Sequence, residues 1–356
     1  KTLYRKRAST GDARGAGVNA HLLRACADAT WGAGALTKGD LVRADGSLTA
    51  SIAGDIVHTT TMQAAQKLAL DATGALTNSG KLYAIGGVLV ATAGRAFTSA
   101  TTGDIYAKTD IDLRGGSVAN QGTVEAGQGV AIHANGALSN EGTVLADAGD
   151  TTLGGVDIVQ SGKASASNDV TVTATGTLDH RGTTVAGRDL SVSAADATTA
   201  GHMQAGRDLN VDAGSLRQQG VVYAKRDIAL NGGDADNAKD ATILADGALR
   251  LRQSGKVSNA GTMQGGTVLD AQGLAAFDNA ATGTVYAGDR LALQAKRIDN
   301  GGSLYAANGV DLKADHVGNT GRLRTGADLT FNATEASNDG TAYASGNAVW
   351  NVATIL

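Results

Sequence analysis

Six of the seven tyrosines, Tyr83, Tyr106, Tyr223, Tyr286, Tyr305 and Tyr343, occupy one position of a recurring phrase, as in Leu304-Tyr305-Ala306. Alternation points them outward, and exposed phenol rings are equipment for recognition, because aromatic faces stack on sugar rings or on a partner chain. These six are the candidate surface-binding face. Elsewhere the position holds Glu125, Leu145, Gln204 or Arg324, so an outward strand position that favours any β-former is the plainer reading. A second row, Asn78, Asn120, Asn140, Asn259, Asn300, Asn319 and Asn338, lies two residues ahead of a glycine each time. Its amides suit a structural turn ladder, bonding from one repeat to the next. A third row, Arg188-Asp189, Arg207-Asp208 and Arg226-Asp227, reads as a solvated turn in which opposite charges offset one another.

None of these rows is catalytic. His21, His58, His133, His180, His202 and His316 show no shared column and no HExxH spacing, and read as isolated surface or turn residues. Cys26 is the only cysteine, which excludes a disulfide framework and a cysteine zinc site. Neither the GGxGxD phrase of calcium-binding repeats nor a GxxxxGK[ST] phosphate loop occurs. No catalytic residue, metal or cofactor is expected, and Asn332-Ala333-Thr334 is a lone chance-level sequon.

The elements that position these rows come from a repeat centred on Gly182 to Leu230. GTTVAGRDLSVSA, GHMQAGRDLNVDA and GVVYAKRDIAL follow one another there. Its anchors run from Gly39 to Gly340 at spacings of 19 to 23 residues. Within a unit apolar and polar residues alternate with the period of a strand. Met203 and Ala205, then Leu209, Val211 and Ala213, then Leu216 and Gln218 mark three short strands and three turns. A unit that small cannot bury a core alone and must stack on its neighbours. The expected fold is all-β, a parallel β-helix of about 16 coils, roughly 75 Å long at about 4.8 Å per coil.

With 50 Gly and no Pro in 356 residues, the turns are expected to rely on glycines at positive φ, and hinges are not expected. A net charge of −4 argues against nucleic acid as a partner, and no apolar run is long enough to span a bilayer. Residues 1–33 do not scan with the repeat and are expected to form a cap or leader. Val18, Leu22, Leu23 and Cys26 fall at the spacing of one short amphipathic helix. The repeat shaft is assigned to 34–356. The longer units Gly80 to Gly103 and Gly261 to Gly283, and the stretch Asp147 to Gly155, are expected to carry bulges or small loops. The apolar finish at Trp350, Val352, Ile355 and Leu356 reads as a cut through a longer rod, truncated at its C-terminal end.

The phrases GALTNSGKLYA, GALSNEGTVLA, RIDNGGSLYAANGVDLKA and VAGRDLSVSA resemble the repeats of filamentous haemagglutinin and the contact-dependent growth-inhibition exoproteins of Gram-negative bacteria. The resemblance runs from about Ala35 to the end. It implies a right-handed β-helical filament exported by an outer-membrane partner transporter (two-partner secretion). Such a filament is secreted or held at the cell surface and acts as a host adhesin or as a stalk presenting a toxin. The NPNG secretion motif, an Arg-Gly-Asp triplet and a VENN boundary are all absent, so the resemblance covers the shaft alone. The function expected is a structural segment of a large bacterial adhesin or exoprotein, its surface open to a receptor or glycan on a host or neighbouring bacterium. The alternative is a polysaccharide lyase or hydrolase, which needs a cleft walled by long turns; spacings mostly of 19 to 21 residues leave little chain to build one.

Overall fold

The computed structural model describes residues 3–5, 9–17, 22–38 and 41–355, with side chains described from 24–32 and 41–355. Its regular elements are all β-strands, stacked in parallel register as a β-solenoid. The chain divides into two compact units, residues 1–177 with 182–185 and residues 178–181 with 186–356.

In the first unit a coil opens with a four-residue strand whose second and fourth side chains point inward, as the alternating pattern dictates. Leu82 and Ala84 lie in register with Met62 and Ala64 of one neighbour and with Ile105 and Ala107 of the other, and all six are 0% exposed. A turn leads to a five-residue strand such as Leu68–Ala72, and a second turn to a three-residue strand such as Leu76–Asn78. Three sides close around columns of Leu, Ile, Val and Ala, and each fully buried Leu contributes about 1.5–3 kcal/mol. The core exists only because coils stack, since the inward residues of one coil meet mainly those of the next.

In the second unit the second and third sides mostly merge into single bent strands of 10 or 11 residues, such as Leu209–Gln218, Arg290–Asn300 and Gly309–Asn319. Leu291, Leu293 and Ile298 sit in register with Val310, Leu312 and Val317, all buried.

The anchor glycines have a different cause from the one expected. Among described residues only Gly232 and Gly273 are glycines at positive φ. A Cβ on Gly142 would instead land on the carbonyl oxygen of Gly122, and one on Gly321 on that of Gly302. Close approach of stacked turns, not left-handed backbone, requires glycine there.

The amino-terminal expectation is corrected too. Leu22–Ala25 is a strand, not a helix, paired with Leu41–Ala44, and Ser9–Gly17 pairs with Ala29–Lys38. Val18 lies outside the described residues. The parallel pairing therefore begins well before residue 34. Leu22-Leu23-Arg24-Ala25 repeats the phrase Leu41-Val42-Arg43-Ala44, and pairing with a stacked neighbour overrides a helical spacing only four residues deep. The longer units place their extra residues in the turns Ile85 to Val88, Ala100 to Gly103 and Ala280 to Gly283 and in a register shift between Ala271 and Leu274 around Gly273.

Candidate functional site

Register turns each repeat position into a column, and two columns carry the candidate residues. The third residue of the four-residue strand that opens a coil lies between two inward positions and faces outward, as in Lys81–Ala84 and Ser303–Ala306. In the first unit this column reads Gln63, Tyr83, Tyr106, Glu125, Leu145. In the second it reads Gln204, Tyr223, Leu244, Gln264, Tyr286, Tyr305, Arg324, Tyr343. The seventh tyrosine, Tyr4, is in register with Arg24 of the same column, a placement that the poor match of residues 1–33 to the repeat phrase obscures.

The rings are arranged in a way that alternation alone does not reveal. Tyr286 and Tyr305 stack with centroids 5.2 Å apart and planes 13° from parallel. Nearly parallel rings that close must overlap face to face with an offset, because coplanar rings would collide. Their faces therefore cover each other, and edges and hydroxyls are what remain outward. Tyr83 meets Tyr106 edge to face at 6.0 Å, lies under Lys81 Nζ at 5.6 Å and donates its hydroxyl to Asp104. Burial, with the hydrogen bond to Asp104 and its charge, pushes the Tyr83 phenol up to about 12. Tyr223 donates to Asp246 at 2.7 Å. Among the described tyrosine side chains Tyr343 is the most exposed, at 52%, its strand Thr341–Ala344 being paired on one side only, and the Arg324 guanidinium lies 5.9 Å from its ring centroid. Tyrosines half-buried against their neighbours stabilise the stack by about 0.5–1.5 kcal/mol per aromatic pair.

The asparagine column points inward. Asn120 Nδ2 donates to Asn140 Oδ1 at 2.8 Å, and Asn140 donates on to Gln160 at 2.9 Å. In the second unit a longer run passes from Asn237 through Asn259, Asn279, Asn300 and Asn319 to Asn338, each step 2.6–2.8 Å. Each donor amide along it also reaches the carbonyl of a short strand, as Asn300 does to Arg322 at 3.2 Å. Asn78 stands apart from both runs, because its register neighbour is Ser99, too short to carry an amide bond onward.

Several members of this column lie beyond the seven asparagines. Asn237 and Asn279 escape a search two residues ahead of a glycine because four-residue turns follow them. Gln160 and Gln218 keep the spacing with a longer amide. So do two histidines, against the expectation that all six are isolated surface or turn residues: His58 and His180 are 0% and 1% exposed and stand two residues ahead of Thr60 and Gly182. Burial, aided by neighbouring His202, pushes His180 down to about 4, so it is neutral at physiological pH.

The Arg-Asp turns are more than solvated charge. Arg207 pairs with Asp189 of the preceding coil, Arg226 with Asp208, and Arg250 with Asp227. The same carboxylates accept backbone N–H groups, Asp208 to Asp189 at 3.2 Å and Ala248 to Asp227 at 2.8 Å. Asp55, Asp110, Asp157 and Asp328 clamp other turns likewise. These acceptors hold Asp157, through the Thr177 N–H and hydroxyl, and Asp189, chiefly through Arg207, below the ordinary carboxylate range. Burial acts against ionisation of Asp227, but the Ala248 N–H with Arg250 and Arg226 still lowers it.

No described group of three or more His, Cys, Asp or Glu side chains could hold a metal ion. No described helix is long and apolar enough to cross a membrane. No curated protein and no solved structure matches the chain. The haemagglutinin repeat profile matches residues 10–80, 84–155, 141–204, 204–276 and 270–351. With coils, turns and inward columns repeating through all five matched stretches, the chain belongs to the haemagglutinin-repeat family.

Proposed function

We propose that this chain is a shaft segment of a large bacterial adhesin or exoprotein, carrying a functional region away from the producing cell. Haemagglutinin-repeat proteins are secreted or surface-exposed, and their β-helices are typically structural. The observation that carries the reading is the register within each unit. Inward columns are buried at coil after coil, and a polar ladder and aspartate clamps tie each turn to the next. Repetition of that kind resists bending and transmits distance, which suits a spacer.

Export through an outer-membrane partner transporter of a Gram-negative bacterium belongs to this proposal. So does weak, multivalent contact of the surface with a receptor or glycan on a host cell or neighbouring bacterium, where repeated sites add by effective concentration. The polysaccharide-cleaving alternative is not favoured, since the longer units spend their extra residues on a bulge and four-residue turns.

The test expresses the segment behind a two-partner secretion domain together with its transporter. Intact cells are then probed with antibody, and culture supernatants are assayed for new reducing ends on host and bacterial polysaccharides. Surface or supernatant antigen without sugar cleavage is expected. Antigen confined to the cell interior, or cleavage that depends on the segment, would sink the proposal.

A further inference from the structure

We propose that Arg322 and Arg324, in the second unit, form the centre of a binding site for the acid group of an anionic saccharide. The two side chains leave the same face of strand Arg322–Thr325, and both are exposed. Residues i and i+2 of a strand stand roughly 6.6 Å apart, so two like charges face solvent side by side. Elsewhere in this unit Arg226, Arg250, Arg252, Arg290 and Arg297 are each held by an aspartate. Neither Arg322 nor Arg324 forms an ion pair. Nor does their own face supply a carboxylate, because the outward positions of strands Thr284–Ala287, Ser303–Ala306 and Thr341–Ala344 hold only Thr, Ser and Tyr. A guanidinium pair left uncompensated is an unfilled demand for an oxyanion. Its planar donors match carboxylate or sulfate oxygens two at a time.

The surroundings argue for a sugar as the carrier. Beside Arg322 is a hollow of ≈ 400 Å³ lined by Ser303, Thr320, Thr341 and the turn glycines Gly302 and Gly321. Hydroxyl groups that both donate and accept are suited to sugar hydroxyls. The Tyr343 ring lies 5.9 Å from the Arg324 guanidinium and sets an aromatic surface beside the charge. An acidic peptide is served less well. Strand Arg322–Thr325, which carries both guanidinium groups, is paired on both sides, so it offers no edge for β-strand addition, and the hollow has no deep apolar slot for a side chain.

The experiment measures binding of the purified segment to a sialylated trisaccharide, a sulfated disaccharide and neutral lactose at low and physiological salt. It then compares Arg322→Ala/Arg324→Ala, Arg322→Lys/Arg324→Lys and, as a remote control, Arg290→Ala. Thermal unfolding is recorded for each variant. At least one acidic sugar is expected to bind more tightly than lactose; its carboxylate or sulfate identifies the source of the anion. The alanine pair is expected to lose about tenfold or more, roughly one charge-assisted contact. The lysine pair should lose part of the affinity because the planar fork is gone, and Arg290→Ala should lose none. No preference for acid over lactose, or an alanine pair that binds like the parent, overturns the inference. Full affinity in the lysine pair overturns the guanidinium fork. Surface display is scored separately, so this site and the shaft reading fail independently.

Discussion

The buried amide ladder predicts a large penalty at Asn300. This side chain is 2% exposed, accepts from Asn279 at 2.8 Å, and donates to Asn319 at 2.7 Å and to the Arg322 carbonyl at 3.2 Å. In Asn300→Ala the Asn319 Oδ1 loses its donor and Asn279 Nδ2 loses its shortest acceptor, keeping only carbonyls at 3.3 Å. A buried polar group left unmade costs about 1–3 kcal/mol, so two partly stranded groups cost about 2–4 kcal/mol. Repeat stacks open locally, and a single melting temperature would blur the effect. Hydrogen exchange read peptide by peptide is the better assay. Amides of coils 279–341 should exchange about 30-fold to nearly 1,000-fold faster, at 1.4 kcal/mol per tenfold, while distant coils stay protected. Asn300→Gln is the internal control, because Gln160 and Gln218 hold this column position elsewhere, and it should retain most protection. A loss below about threefold in Asn300→Ala would refute the claim that the ladder is energetically coupled. Equal loss in the glutamine variant would point to packing volume as the cause.

Leu312, 1% exposed and in register with Leu293 and Phe331, should not accept charge. Leu312→Asp is expected to open the local stack to trypsin, at a cost above about 4 kcal/mol. Tyr305→Ala should cost only about 0.5–1.5 kcal/mol through its lost stack on Tyr286, and comparable losses from the two in urea titrations would mean the faces are misassigned. For His180, sitting near 4 when folded against 6.5 unfolded, the unfolded chain binds more protons between those values. Stability is full above about pH 6.5 and falls as pH drops toward 4, by roughly 3 kcal/mol. His180→Asn, which supplies the usual residue of the column, should flatten that part of the pH–stability curve, and an unchanged curve would contradict the assignment. The clamping carboxylates act lower. Asp189 and Asp227 contribute stability above the ordinary value of 3.8 that is lost as pH falls through their lowered values. Asp227→Asn, still able to accept the Ala248 N–H, should lose less stability on acidification than the parent in melts between pH 2 and 5.

The repeat and the strand class are written openly in the sequence, because period-2 alternation and an anchor, mostly glycine, every 19 to 23 residues are local and recur. Asn259, Asn300 and Asn319 are legible for the same reason, at a constant offset from the glycine. Asn237 and Asn279 are hidden because lengthened turns break that offset. His58 and His180 keep it, but a histidine gives no local sign of being buried. The reason for glycine at Gly142 or Gly321 is likewise out of reach of a single coil, since the obstructing carbonyl lies on the coil beneath. For Leu22–Ala25 the local spacing fits a helix, and pairing with Leu41–Ala44 imposes a strand. The tyrosine column shows where the boundary falls. Alternation assigns Tyr286 and Tyr305 to the outside, whereas whether their faces meet solvent or each other depends on the distance between rings about twenty residues apart in the chain. The same holds for the guanidinium pair, because Arg322-Leu323-Arg324 is visible as a triplet, and only stacking reveals that no carboxylate shares its face. Sequence by itself determined what each coil is, because hydrophobic alternation and turn residues act within about twenty residues. The tertiary structure alone decided what each column does, because every column is made of contacts between coils.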